Sequence, residues 1–344
     1  ACIAAIVGLA VPLQMVSQTW DDHDRSGRYC ARDFGMNYLS SLDKDAIIFT
    51  NGDNDTFPLW YAQEVENYRT DVRVVNLSYL STDWYIRQMQ RAAYDSKPLP
   101  MKADGNTFSY DGRQYNYFIT PDTSTVMPVL KSLEHLYSNK NLDNIYGLSE
   151  LRYPRCFIPV NADDAIKAGV IPAEERDRIL DFIPMNLQSL GSGMPASPVM
   201  SLDYIASSID QGWKRPCYFA MTVPESYYLG LSPYMRNTGL AFQVTPVRND
   251  GGVTSSACDK MYDNVMNKFR WGGLDTAEPG SLYLDETIRR MVSTHRTAIT
   301  ELATDLSNEG ALAQRALDLG VSTYMGRDAK AFAADRFKKA YDVL

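Results

Sequence analysis

The chain opens on a run almost free of polar interruption. Residues 1–16, ACIAAIVGLAVPLQMV, are apolar except for Gln14. A membrane-spanning helix takes roughly 20 apolar residues, so the run predicts the end of such a helix, its start lying upstream. A buried core helix is the alternative. A signal peptide fits poorly, because no basic stretch precedes the run and no A-x-A site follows soon after. At Ser17 the pattern turns sharply polar, SQTWDDHDRSGR, with Trp20 where an interfacial aromatic belongs.

Beyond this junction the spacing becomes that of an α/β protein. Tyr29, Phe34, Tyr38, Leu39 and Leu42 predict a helix, and Asp45–Thr50 (DAIIFT) a short buried strand. A tight turn, Asn51-Gly52-Asp53-Asn54-Asp55-Thr56, leads to a helix opening at Phe57-Pro58 and running to about Tyr68. Asp71–Leu77 predicts a second strand and Asp83–Tyr94 a second helix. Strands that alternate with helices predict a parallel sheet with helical crossovers. Phe108–Ile119, with Asp111-Gly112 at its centre, predicts a hairpin. Val126–Ser138, Asp163–Ala168, Ala173–Ile183 and Pro198–Ile209 read as helical, and Leu187–Pro198 as a loop. Cys156–Val160, Arg215–Val223 and Leu240–Val247 read as strands. From about Ser281 the chain is Ala- and Leu-rich. Leu284–Ser307, Ala311–Met325 and Asp328–Leu344 predict three helices of a tetratricopeptide-like (TPR-like) repeat region, which ends uncapped. The expected organisation is residues 1–16 as the end of a truncated membrane helix, 17–280 as a soluble α/β domain and 281–344 as a TPR-like helical region.

Composition narrows the function classes. The 344 residues are 45% hydrophobic and 22% charged with a net charge of −8, which supports a sizeable core. No basic stripe exists to neutralise phosphates, so nucleic acid is not an expected partner. The five cysteines are scattered without metal-ligand spacing, so neither a zinc site nor a disulfide framework is expected. No P-loop, G-x-G-x-x-G or G-x-S-x-G motif occurs.

Three clusters carry candidate chemistry. Asp53 and Asp55 form a D-x-D pair where a strand meets a helix, an arrangement that can hold a divalent cation and through it a diphosphate. A turn with helix-capping carboxylates explains the same residues. Asp22 and His23, with the neighbouring Asp21 and Asp24, can bind a metal or act as acid and base, and Arg25 and Arg28 can meet phosphates or lipid headgroups, while a charged junction that simply ends an apolar segment explains the same residues. Asp83 and Trp84 follow the second strand, where a cap and a sugar-stacking face compete with plain core packing. If the two strands are neighbours, Asp53, Asp55 and Asp83 converge on one sheet edge. No resident metal or cofactor is expected.

Several long segments resemble one family. WDDHDRSGRYCARDF (Trp20–Phe34), IIFTNGDNDTFPLWYAQEVE (Ile47–Glu66), TDVRVVNLSYLSTDWYIRQM (Thr70–Met89) and YDNVMNKFRWGG (Tyr262–Gly273) are similar to bacteroidete membrane proteins of the domain-of-unknown-function 2723 family. Trp213–Val223 and Tyr227–Val247 fit as well, and the likeness covers about residues 15–290. The resemblance implies a larger protein whose multi-spanning region is similar to protein O-mannosyltransferases, which pass sugar from a lipid-phosphate donor to a protein hydroxyl. It implies an inner-membrane location with the soluble portion in the periplasm. Because transferase chemistry in such proteins belongs to loops of the spanning region, no catalytic residue carries over. The expected function is an accessory domain that positions a polyprenyl-phosphate sugar or an acceptor protein. The alternatives are an interaction scaffold and a metal-dependent D-x-D nucleotide-sugar transferase.

Overall fold

The computed structural model describes residues 2–23, 27–104, 107–108, 113–138, 148–249, 256–278 and 284–344. Helix α1 (Cys2–His23) runs straight through the expected junction, so the polar change at Ser17 does not end it. Its segment Cys2–Trp20 is long and apolar enough to cross a membrane, and none of it is buried. Ile3, Ile6, Leu9, Leu13 and Val16 are all exposed. Asp22 and His23 close α1, but their side chains, and all of Arg25, lie outside the described residues.

The α/β body begins with α2 (Cys30–Ser40), β1 (Ile47–Thr50), α3 (Asp53–Glu64), β2 (Arg73–Asn76) and α4 (Asp83–Met89). Next come β3 (Tyr115–Tyr117), β4 (Met127–Pro128), α5 (Val129–Tyr137), β5 (Arg155–Pro159), α6 (Ala162–Lys167), β6 (Phe182–Asn186), β7 (Gly193–Pro195) and α7 (Ala196–Asp210). The body closes with β8 (Cys217–Ala220), β9 (Met235–Asn237), β10 (Ala241–Val244) and α8 (Cys258–Asp263), which continues as a π-helical turn through Lys268. The C-terminal elements are α9 (Glu286–Asp318), β11 (Thr323–Tyr324), β12 (Arg327–Asp328) and α10 (Ala329–Val343).

The main sheet has the order β2-β1-β8-β10-β9. Only β2, β1 and β8 are parallel, while β10 and β9 join antiparallel, so the sheet is mixed rather than parallel throughout. Every residue of β1, β2 and β8 is buried. A strand covered on both faces is mostly apolar, and the buried polar residues at the strand ends, Thr50, Arg73 and Asn76, are hydrogen-bonded. A smaller sheet, β4-β5-β6, and the pair β3-β7 flank the main one.

Other expectations need correction. Helix α3 starts at Asp53 rather than at Phe57, so Pro58 lies inside it. Ala173–Ile183 is not one helix: a 3-10 turn (Ala173–Arg178) gives way to β6. The Asp111-Gly112 turn lies outside the described residues, and β3 pairs with β7, some 80 positions away, instead of folding as a local hairpin. The first two C-terminal helices are one helix, α9, which Gly310 does not break. A Cβ at Gly310 would stand 3.0 Å from the Phe337 ring, so the glycine makes room for α10. Helix α9 packs on α2 and α8 as well as on α10.

Candidate functional site

Because β2, β1 and β8 run side by side in one direction, their carboxyl ends open on a single edge. Ligands of open α/β sheets gather at such edges. The turn after β1 is set by Gly52, whose φ of +86° suits a residue without a Cβ. Thr56 then anchors the first turn of α3. Its hydroxyl donates to the Gly52 carbonyl (2.7 Å) and accepts from Asn76 Nδ2 (2.9 Å) and from the Thr50 hydroxyl (2.8 Å). Asn76 Oδ1 accepts from the Ser78 and Tyr79 backbone N–H groups, and the Ser78 hydroxyl donates to Asn51 Oδ1 (3.1 Å). The turns after β1 and β2 are thus held to each other by side chains.

The D-x-D carboxylates have different surroundings. Asp53 is exposed at the start of α3, whereas Asp55 is buried. The Thr222 hydroxyl, just past β8, and the Asn51 backbone N–H are the polar groups that act on Asp55. Burial pushes its carboxyl above the ordinary carboxylate range, and these two groups pull it partly back. On the far side of Thr222 stands the Tyr38 hydroxyl, 3.2 Å away. Burial, with Asp55 adding to it, raises the Tyr38 phenol, so Tyr38 keeps its proton. The Tyr38 and Thr222 hydroxyls, bonded to each other, therefore accompany the Asp55 carboxyl at this edge of the sheet.

Asp83 sits at the start of α4, on the same edge by topology, but its carboxylate is taken by Arg87 at 2.6 Å. Among the described residues no three His, Cys, Asp or Glu side chains are grouped to hold a metal ion. Trp84 is 53% exposed and ends a row of rings. Phe57, itself 48% exposed, stacks at 5.7 Å on Trp60, Trp60 at 6.2 Å on Tyr79, and Tyr79 lies 6.2 Å from Trp84. Tyr38, Asn51, Asn76 and Thr222 were not singled out from the sequence. For Thr222 a signal was present, since it follows a buried strand at its carboxyl end.

Arg28 has an interaction partner, and the segment after it is tied to the Tyr262–Gly273 motif. Asp33 pairs with Arg32 (2.7 Å) and accepts from the Gly272 N–H (2.9 Å). Asn37 Nδ2 donates to the Arg270 carbonyl (2.8 Å), and Asn37 Oδ1 accepts from the Arg270 N–H (2.8 Å). A second Nδ2 bond, at 2.9 Å, reaches His295 Nε2, while His295 Nδ1 lies 2.9 Å from the Met291 carbonyl. That network assigns the proton to Nδ1, because the Asn37 amide needs an acceptor at Nε2. Phe34, Phe269 and Trp271 surround the ring. These residues of the motifs are therefore mutual structural anchors.

Burial pushes His295 below its ordinary value, partly offset by the bond to Met291. An unfolded histidine takes up a proton below about pH 6.5, whereas the folded ring resists it. Stability is therefore retained at neutral pH and lost as pH falls below that value, with a slope approaching about 1.4 kcal/mol per pH unit. Urea unfolding across that range checks this, with His295→Gln showing the flatter profile. An unchanged slope in the variant would refute it.

All five cysteines are free, with Cys156, Cys217 and Cys258 buried. No curated protein and no solved structure matches the chain. The TMEM260-associated domain 2 family does match, over residues 31–262, about two thirds of the sequence. That stretch runs from α2 to α8 and contains the whole main sheet, with Asp55, Thr222 and the aromatic row. The chain belongs to the TMEM260-associated domain 2 family.

Proposed function

We propose that this chain is the membrane-tethered accessory portion of a membrane-embedded glycosyltransferase of the protein O-mannosyltransferase-like kind. Its sheet edge holds the acceptor protein or the sugar of a polyprenyl-phosphate donor near the bilayer. The observation that carries the reading is that α3 carries both Asp55, buried at the carboxyl end of the sheet, and Phe57 and Trp60, which begin the ring row continued by Tyr79 and Trp84. Sugars present hydroxyls to carboxylates and C–H faces to aromatic rings, so the pair suits a glycan or a glycan-accepting segment. Support also comes from the family, whose name ties the domain to TMEM260, a protein O-mannosyltransferase-like family.

The proposal extends to the organisation of the chain. Residues 1–16 belong to a membrane anchor, residues 17–280 form the globular portion in the periplasm, and residues 281–344 begin a TPR-like docking region. In this reading the junction of Asp22, His23, Arg25 and Arg28 faces the bilayer, with the Arg25 and Arg28 guanidiniums suited to phosphate headgroups. Asp53 and Asp83 border the glycan edge. The apolar α1 supports the anchor.

The test uses the full-length protein in membranes, with transfer of labelled sugar from polyprenyl-phosphate to acceptor as readout. Asp55→Asn keeps the shape and removes the charge, and Trp84→Ala removes one end of the ring row. Each is expected to lower transfer at limiting acceptor or donor at least tenfold, the loss of one charge-assisted hydrogen bond or one stacked ring. Asp55→Asn should also melt no lower than the parent at neutral pH, because it removes a buried charge. Undiminished transfer by both variants would refute the assignment.

A second reading, a protein-interaction scaffold, is favoured by the last helix. Phe337, Tyr341 and Leu344 are exposed apolar positions on or beside α10. It predicts that deleting residues after Ser281 abolishes partner capture while sugar transfer survives.

A further inference from the structure

A second region of the molecule has the makings of a site and is separate from the sheet edge. A cavity of about 760 Å³ lies between the α/β body and the C-terminal helix pair. The body contributes Ile171, Glu175 and Arg178 near α6, Arg236 of β9 and the start of α8. The helix pair contributes Leu312, Tyr324, Met325, Arg327, Phe332 and Arg336. The volume is that of an ordinary small-molecule pocket.

The lining carries four guanidiniums, Arg178, Arg236, Arg327 and Arg336, and four carboxylates, Glu174, Glu175, Asp259 and Glu309, but their hydrogen bonds are unevenly matched. Arg236, only 7% exposed at its side chain, forms a two-pronged pair with Glu175: Nη1 to Oε1 at 2.9 Å and Nη2 to Oε2 at 2.6 Å. Arg178 Nη1 reaches the same Oε2 at 2.6 Å. One carboxylate therefore serves two guanidiniums. Two donors, Arg236 Nε and Arg178 Nη2, are buried and without a hydrogen-bond partner among the described residues. A third guanidinium, Arg327, is half exposed and holds Asp259 only at 3.6 Å. Unmatched buried donors are costly and are rare in native proteins. Tyr324 and Phe332 lie ring to ring at 5.6 Å, with the Arg327 guanidinium over the Phe332 ring at 5.5 Å, and line the cavity together with the apolar Leu312, Met325 and Ile171.

We propose that this cavity binds a phosphate ester with an apolar or planar organic body. A tetrahedral phosphate offers three oxygens and accepts from guanidiniums arriving from different directions, here Arg178, Arg236 and Arg327. A planar carboxylate has two oxygens and duplicates what Glu175 already supplies. Rotation of Arg178, whose side chain is 29% exposed, turns Nη2 toward the cavity without breaking the Arg236–Glu175 pair. The organic body lies along Tyr324, Met325 and Leu312. Because its walls come from both the body and the helix pair, a bound ester holds the two together.

The experiment is calorimetric titration of the full protein in zwitterionic micelles with phenyl phosphate, inorganic phosphate and benzyl alcohol. Phenyl phosphate should bind saturably and at least tenfold tighter than benzyl alcohol, the increment of one charge-assisted contact. Arg178→Met leaves the Arg236–Glu175 pair and the fold in place and should weaken binding about tenfold. Tyr324→Ala should erase the preference for phenyl phosphate over inorganic phosphate. Displacement of phenyl phosphate by a phosphatidate doped into the micelles would assign the site to lipid esters, and its failure to displace would assign it to soluble ones. Absence of saturable phenyl phosphate binding, or binding indifferent to Arg178→Met in a protein that melts like the parent, would overturn the proposal. Neither result bears on sugar transfer, which the sheet-edge variants test separately.

Discussion

Gly35→Ala lowers stability by roughly 3 kcal/mol and loosens the Asp55 edge at the same time. An alanine Cβ here would stand 2.2 Å from the Pro58 carbonyl oxygen and 2.6 Å from its carbon. Both atoms are backbone, so no rotamer relieves the overlap. Helices α2 and α3 would have to separate, or α3 to bend at Pro58, whose ring already removes one helical hydrogen bond. Tyr38 rides on α2 and Asp55 on α3, so the same displacement shifts the Tyr38–Thr222 pair relative to Asp55. Urea unfolding gives the stability change, and sugar transfer by the full-length protein gives the functional one. Gly8→Ala is the control: a Cβ on this exposed helix meets nothing within 4 Å, and the transition should not move. A Gly35→Ala protein that unfolds like the parent would mean the two helices do not pack this closely.

Arg215→Met costs about 3 kcal/mol, the second largest loss expected. Arg215 is buried, and its guanidinium donates to the carbonyls of Asp45 (2.8 Å) and Lys97 (2.5 Å) and to the Ser96 hydroxyl (2.8 Å). Arg73, also buried, donates to the carbonyls of Arg91 (2.9 Å), Ser96 (3.2 Å) and Lys97 (3.3 Å). Two cations thus bind the loop after α4 to the amino ends of β1, β2 and β8. Burial, and after it the Arg73 charge, pushes Arg215 down to about 10. Its proton is bound more weakly when folded, so the penalty is constant at lower pH and is relieved only in alkali. A double-mutant cycle reads the repulsion. Arg73→Met with Arg215→Met should cost less than the two single changes added together, since each removes a like charge from the other. Simple additivity would show the guanidiniums to be independent.

The parallel part of the sheet was legible because β1, β2 and β8 are buried on both faces and so carry apolar cores, with polar residues only at the ends of β1 and β2. Periodicity failed where backbone pairing was non-local. Phe182–Asn186 alternates outward and inward as a strand should, yet it adjoins a charged turn that mimics helical spacing. Ser307–Gly310 resembles a helix end, and only the Phe337 ring packed against Gly310 explains why α9 continues through it. At the candidate site, the strand-to-helix turn identified Asp55 from local pattern alone. Its partners did not follow, because Tyr38 and Thr222 arrive from α2 and from the end of β8, 184 residues apart.

Helix α9 spans 33 residues, about 50 Å of continuous rod. His295 fastens it near one end to Asn37, and Glu309, some 20 Å further along, borders the cavity beside α10. A rod of this kind pivots far more readily than it shortens. A change in the space around Glu309 is therefore coupled, along one unbroken helix, to Asn37 on α2, the helix that follows the apolar α1.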